Sequence, residues 1–442
     1  MAGMLILGRL LWADTTQSPH SASGVAIEGD RIVATGPNVD LQRAYPQATL
    51  VDATDCVITP SFVNAHHHMY GVLAHGIPLQ AAPAGFWPFL QDFWWPLVED
   101  RLTHDLIRAA TDWACLEMIR SGVTTFYDCL EGPNAIPGAL EAEAAIVSAR
   151  GLRGVLSFEA SQRVSPLNGE LGLRENAAWI RRCQEAGGLL SGMMCFHTSF
   201  TCSANFIREA FAIASEHGAR VHMHLSEGTH EPEYCLRHLG LRPVEYYERL
   251  NVLGPRVLAS QCVQVDASEV EILARHGVNV SHQPLSNCEV GGGFSPVPEM
   301  VQAGVNVALG TDGYINNMFE VMRAAALLPR ARLQDPGAMP ARLAWTMATQ
   351  NGARALGFAD LGKLECGKSA DLLLINSHLP TPVAEHNIAD QLLLYRNPAD
   401  LRGVMCAGRW LLRDGLVLGV DEVAVRTRVE RAADELWKAA RG

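Results

Sequence analysis

Between residues 61 and 357, apolar runs of strand length alternate with stretches of helical periodicity, and this alternation constrains the fold more than any other feature of the chain. Strands are expected at residues 62–65, 123–128, 153–159, 193–197, 220–224, 257–262, 278–282 and 305–310. Helices fit between them, for example at 103–120, 205–217 and 267–276. Eight βα units in succession imply an α/β protein built on a parallel (β/α)8 barrel of the TIM type. An open doubly wound sheet is the competing arrangement, but no Gly-x-Gly-x-x-Gly follows any of these runs.

The two ends of the chain have a different texture, with short strands and turns. Strands are expected at 4–11, at 24–28 and 31–35 around a Gly29-Asp30 turn, at 50–52 and 57–59, and then at 362–364, 370–375, 401–406 and 409–413. Neither end alone has enough strands to bury a face, so the two are expected to pair into one small β-sandwich. The expected domains are therefore residues 1–60 and 358–442 for the sandwich, the latter including a terminal helix, and 61–357 for the barrel.

With 48% hydrophobic and 19% charged residues, a chain of 442 residues can bury a large core. Its net charge of −12 argues against nucleic acid or an anionic membrane surface as a partner and favours a small neutral or cationic ligand. The eleven cysteines are scattered singly without a Cys-x-x-Cys, which fits a reducing cytoplasm better than a disulfide framework or a zinc knuckle. No apolar run is long enough to span a bilayer, and the first residues lack the pattern of a signal peptide.

Barrels of this kind place their chemistry at the C-terminal ends of the strands. Those ends carry His66 and His68 on the first strand, His197 on the fourth, His222 and His224 on the fifth, Gln261 on the sixth, His282 on the seventh and Asp312 after the eighth. In Val63-Asn64-Ala65-His66-His67-His68 the alternation of a strand sends His66 and His68 to one face and His67 to the other. His66, His68, His224 and Asp312 make an imidazole and carboxylate set without thiolate, suited to one divalent ion, zinc or iron in its place. The fourth strand, residues 189–197, has no Lys, Asp or Glu to bridge two ions, so one metal is expected. His222 is expected to pack behind His224.

A metal brings the pKa of a bound water to about 7, which makes hydroxide available for attack on an electron-poor ring carbon. Glu227, just past the fifth strand, is placed to shuttle a proton to the ring or leaving group, and Asp312 to take one from the water. Trp87 and Phe89, in the aromatic segment 86–96, are candidates for a wall that stacks on a planar substrate, and His75 is a further candidate contact. There is no His-Glu-x-x-His and no Pro-Cys-x-x-Cys, which sets aside other zinc chemistries.

Taken together, His66-x-His68, His224-x-x-Glu227, Thr311-Asp312-Gly313 and the segment Gly362-Lys363-Leu364-Glu365-Cys366-Gly367 resemble the amidohydrolase superfamily, in its mononuclear deaminase and chlorohydrolase branch. The resemblance implies the metal and acid/base roles above and a substrate contact at His197. It also implies a cytoplasmic enzyme that releases ammonia from a purine-, pterin- or triazine-like ring, assembled as a homodimer or larger. Residues 233–244 are similar to 8-oxoguanine and isoxanthopterin deaminases, and Leu379-Pro380-Thr381-Pro382 to SsnA-type aminohydrolases. In this branch a histidine usually ends the sixth strand; here Gln261 stands there, able to donate a hydrogen bond but not to carry a proton. Leu285 likewise occupies a position where many relatives have a ring-reading Glu. These departures keep two alternatives open: expulsion of chloride, an alkylamine or a carbamate-type group, and a metal-binding pseudoenzyme.

Overall fold

Ile6, Val25, Ile27, Ile58, Leu372, Leu374 and Met405 share one core, which draws residues from both ends of the chain into a single sheet. In the computed structural model, which describes residues 3–313 and 315–441, that sheet has nine strands. Its order runs Leu416–Val417, Arg409–Arg413, Leu401–Cys406, Leu372–Asn376, Thr49–Pro60, Met4–Leu11, Ser23–Glu28 and Arg31–Pro37, with His20–Ser21 beside Met4–Leu11. The N- and C-terminal halves meet where Leu372–Asn376 pairs antiparallel with Thr49–Pro60. Residues 50–52 and 57–59, expected as separate strands, are one strand, because Met4–Leu11 pairs along its whole length across a single bulge. Residues 362–364 are not a strand; Leu364 is buried in the core and donates its N–H to Ala13.

The chain forms two compact units, one of Met1–Asn64, Leu116–Thr125 and Asn317–Val420, the other of Ala65–Cys115, Phe126–Asn316 and Asp421–Gly442. Eight parallel strands follow the expected order: β1 (Phe62–His67), β2 (Val123–Leu130), β3 (Arg153–Phe158), β4 in two pieces (Leu190–Gly192 and Met194–Cys195), β5 (Val221–Leu225), β6 (Val257–Gln261), β7 (Asn279–His282) and β8 (Asn306–Leu309). Some of the helices between them begin on local capping signals. Ser203 caps Ala204–Glu216, and Asp266 with Glu269 forms a capping box on Ala267–His276.

The ladder falls into two arcs, β1 to β4 and β4 to β8, that part at Met193. The cause is Asn176, buried in the helix Pro166–Ala186, whose side chain accepts from Phe158 N at 2.7 Å and donates to the carbonyls of Phe158 at 2.7 Å and Cys195 at 3.3 Å. One amide thus serves backbone groups that a strand ladder would otherwise pair. On the other side, the His66 carbonyl accepts from Thr311 N and Asp312 N, both at 3.1 Å, and ties the end of β1 to the turn after β8. A Cβ on Gly310 would stand 2.8 Å from that carbonyl, so the approach requires glycine.

Candidate active site

The strand ends of the second unit bring His66, His68 and His224 together, with one ring nitrogen of each within 4.8 Å of the others. Asp312 completes the group, its Oδ1 3.4 Å from His68 Nε2 and 3.9 Å from His66 Nε2. Two of the rings are fixed from behind. His68 Nδ1 donates to the Cys129 carbonyl at 2.6 Å, and His224 Nδ1 lies 2.9 Å from Glu159 Oε2. The carbonyl contact places the His68 proton on Nδ1 and turns Nε2 towards Asp312. Burial holds His66 well below the usual imidazole range and brings His224 down to about 4, so both are neutral. Burial also opposes a charge on His68, but Glu131, Asp312 and Asp128 outweigh it and raise its pKa.

The donor set of three imidazoles and a carboxylate fits zinc or a similar first-row ion. The other buried groupings near it are Cys129 with His222 and His224, and Cys129 with Glu131, Glu159 and His224.

Gln261 donates from Nε2 to Asp312 Oδ2 at 2.5 Å, while Asp312 Oδ1 accepts from Gly313 N at 2.9 Å. Both carboxylate oxygens are therefore aimed. Ser226, Gln261, Cys262 and Asp312 all hold positive φ, between 48° and 75°. Such backbone costs on the order of 1–3 kcal/mol per residue and concentrates where side chains must be placed precisely.

A small cavity opens over these groups, lined by His68, His197, His224, Glu131, Glu227 and Asp312 on its polar side. Phe86, Phe89, Leu90, Trp94 and Val290 supply its apolar wall. Burial, followed by the nearby Asp312, Glu131 and Glu231, pushes the Glu227 carboxyl well above its usual range. His197 donates or accepts through Nδ1 with Thr201 Oγ1 at 2.8 Å, and burial brings its pKa down to about 3.

The other sequence candidates lie outside the cavity lining. Trp87 stacks on His230 with ring centroids 3.7 Å apart, and His75 Nε2 donates to the Gly313 carbonyl at 2.9 Å. His222 stacks on His66 and contacts Cys195 Sγ at 3.2 Å, and His67 donates to the Asp312 carbonyl at 2.7 Å. On the helix Pro284–Glu289 it is Ser286, not Leu285, that lines the cavity.

A model of the amidohydrolase family matches residues 57–411. The chain belongs to the amidohydrolase family. Residues 24–48 also match a bacterial imidazolonepropionase-like composite domain. Among curated relatives, the 5'-deoxyadenosine deaminase of Methanothermobacter thermautotrophicus is 37% identical over 393 residues, covering 88% of this chain and 89% of that one. A 5-methylthioadenosine/S-adenosylhomocysteine deaminase of Syntrophobacter fumaroxidans is 36% identical and covers 96% of each chain. Of solved structures, an adenosine deaminase from Xanthomonas campestris with bound zinc superposes with a TM-score of 0.89 at 26% identity over 98% of both chains. Atrazine chlorohydrolase from Arthrobacter aurescens, at 20% identity and a TM-score of 0.84 over 97% of this chain and 100% of that one, shares the fold.

The histidine cluster and the zinc-bound neighbour support a divalent metal in this amidohydrolase. Among its described residues no helix is long and apolar enough to cross a membrane. Glu131, Glu159 and Glu99 are the site carboxyls that sequence reasoning missed. The first two follow the ends of β2 and β3 directly, and that position was the available signal.

Proposed function

We propose that this amidohydrolase is a metal-dependent hydrolytic deaminase of an adenine nucleoside of the 5'-deoxyadenosine type, converting the ring C–NH2 and water to a ring carbonyl and ammonia. The observation that carries this reading is the meeting of Glu227 and Asp312 with three imidazoles under one aromatic wall. Deaminases of adenine nucleosides among relatives of 36–37% identity support the choice of ring.

His66, His68, His224 and Asp312 would hold a divalent ion, which we take to be zinc and which would supply Lewis acidity able to bring the pKa of water to about 7. Glu227, kept protonated by its burial, gives its proton to the ring nitrogen beside the carbon under attack. Asp312 takes a proton from the attacking water, its other oxygen fixed by the Gln261 amide. Gln261 thereby acts through Asp312, as a positioning residue that needs no proton of its own. The departing amine leaves as ammonia once it is protonated, and we assign delivery of that proton to Glu227 or Asp312, both of which line the cavity. His197 contributes a neutral hydrogen bond to the far ring edge, and Phe86, Phe89 and Trp94 exclude water from the ring faces. We further propose a homodimer or larger assembly in a reducing cytoplasm, consistent with eleven free cysteines.

Ammonia release by the metal-replete protein on a panel of 5'-deoxyadenosine, isoxanthopterin, 8-oxoguanine and amino- and chlorotriazines tests the reading. The expected result is release from the adenine nucleoside at a kcat/KM of about 10⁴ M⁻¹s⁻¹ or more. Chloride release with no ammonia from any ring would overturn it.

A further inference from the structure

The deamination steps leave one wall of the cavity unused. Glu131, the residue after β2, lines the cavity beside His68, His224, Glu227 and Asp312. Its Oε2 accepts the Tyr70 hydroxyl at 2.7 Å, and the Tyr70 oxygen in turn accepts from Trp94 Nε1 at 3.2 Å. Glu99 and Glu159 stand against it. All three carboxyls are buried.

The guanidinium nearest this group does not serve the cavity. Arg163 pairs with Glu99 at 3.0 Å and Asp100 at 2.9 Å, and lies 4.7 Å over the Trp95 ring. Among the described residues that line the cavity there is no Lys or Arg, while Glu131, Glu227 and Asp312 are all acidic. A phosphate or carboxylate entering here would stand among carboxyls in a poorly solvated space without a cation of its own to pair with. An ionised carboxylate is an acceptor only, so what it rewards is a hydroxyl, an amine or an ammonium.

We propose that Glu131 is a specificity-determining residue, which accepts hydrogen bonds from donors on the part of the substrate away from the reacting amidine and bars nucleosides with an anionic 5' group. This rests on the nucleoside deaminase reading and narrows it to neutral and cationic nucleosides. The wall is built for that selection: Tyr70 and Trp94 hold the Glu131 carboxylate in place, and Arg163, whose charge reaches Glu131, is already committed to Glu99 and Asp100.

Steady-state deamination of 5'-deoxyadenosine, 5'-amino-5'-deoxyadenosine and adenosine 5'-monophosphate by the metal-replete wild type and by Glu131→Gln tests the assignment. The wild type is expected to favour the neutral and cationic nucleosides over the monophosphate by about a hundredfold or more in kcat/KM. Glu131→Gln is expected to raise KM for 5'-deoxyadenosine about tenfold or more, with kcat within a few-fold, unchanged metal content and a narrowed margin against the monophosphate. Equal use of the monophosphate by the wild type overturns the inference even if the variant fails to fold, as does a variant with the wild-type KM and margin. A wild type that deaminates no adenine nucleoside overturns the deaminase reading, and this inference with it; deamination without charge selection overturns this inference alone.

Discussion

Three of the side chains at the site each face a partner on their far side. Cys129 and Glu159 orient His68 and His224, and Gln261 orients Asp312. The Gln261 to Asp312 contact gives the unusual residue of the sixth strand a definite task. Replacing it by leucine removes the donor and leaves a buried oxygen of Asp312 unserved. Gln261→Leu is therefore expected to lower metal affinity or kcat about 10- to 100-fold, measured by chelator competition and by ammonia release. Wild-type values for both would show that Asp312 needs no such support. His66, His68, His224, Glu227 and Asp312 could be grouped from the sequence because strand alternation and the barrel's polarity put them on one rim. Glu131 and Glu159 were not, although they stand at equivalent strand ends. An acidic residue after a strand is common on a solvated loop, and only packing shows that these two are buried against the histidines.

At the scale of elements, the βα alternation was legible almost throughout, since strands buried on both faces read as apolar runs whatever their partners. The helices expected at 103–120, 205–217 and 267–276 form as His104–Arg120, Ala204–Glu216 and Ala267–His276. What pattern reading did not reach is how the strands join. The break in β4 depends on Asn176, a polar residue on a helix face, and its reach to Phe158 and Cys195 is a tertiary fact. Asn176→Leu would strand the Phe158 N–H and its carbonyl neighbours in the core. The expected cost is about 1–3 kcal/mol, read as a lower urea midpoint with an unchanged m-value. A midpoint equal to wild type would mean that the ladder closes on its own when the amide is removed. The aromatic segment after β1 is likewise half legible: Phe89 faces the cavity, whereas Trp87 turns to His230, and composition does not distinguish them.

For the whole molecule, the terminal sheet is where distant parts of the chain depend on one another. Asp14 and Lys363 pair at 2.8 Å across 349 positions of sequence, taking 14 from 363. Burial opposes the charge of Asp14, but Lys363, Thr16 and Gln350 outweigh it and bring its pKa down to about 2. The folded value lies below the unfolded one, so the contribution to stability is complete above about pH 4 and fades as the pH falls towards 2. Asp14→Asn should accordingly lower Tm at pH 6, with the gap to wild type closing as the pH falls through 4. A gap that stays constant with pH would remove the ion pair as its cause.

The central claim is that one divalent ion, held by His66, His68, His224 and Asp312, makes this amidohydrolase a hydrolytic deaminase of an adenine nucleoside. The most direct test is to titrate metal-stripped protein with zinc while following ammonia release from 5'-deoxyadenosine. The account predicts activity that rises from near zero and levels off at one equivalent of zinc per chain, and that does not return in His68→Ala. Full activity in the stripped protein, or a plateau reached only at two equivalents, would contradict it.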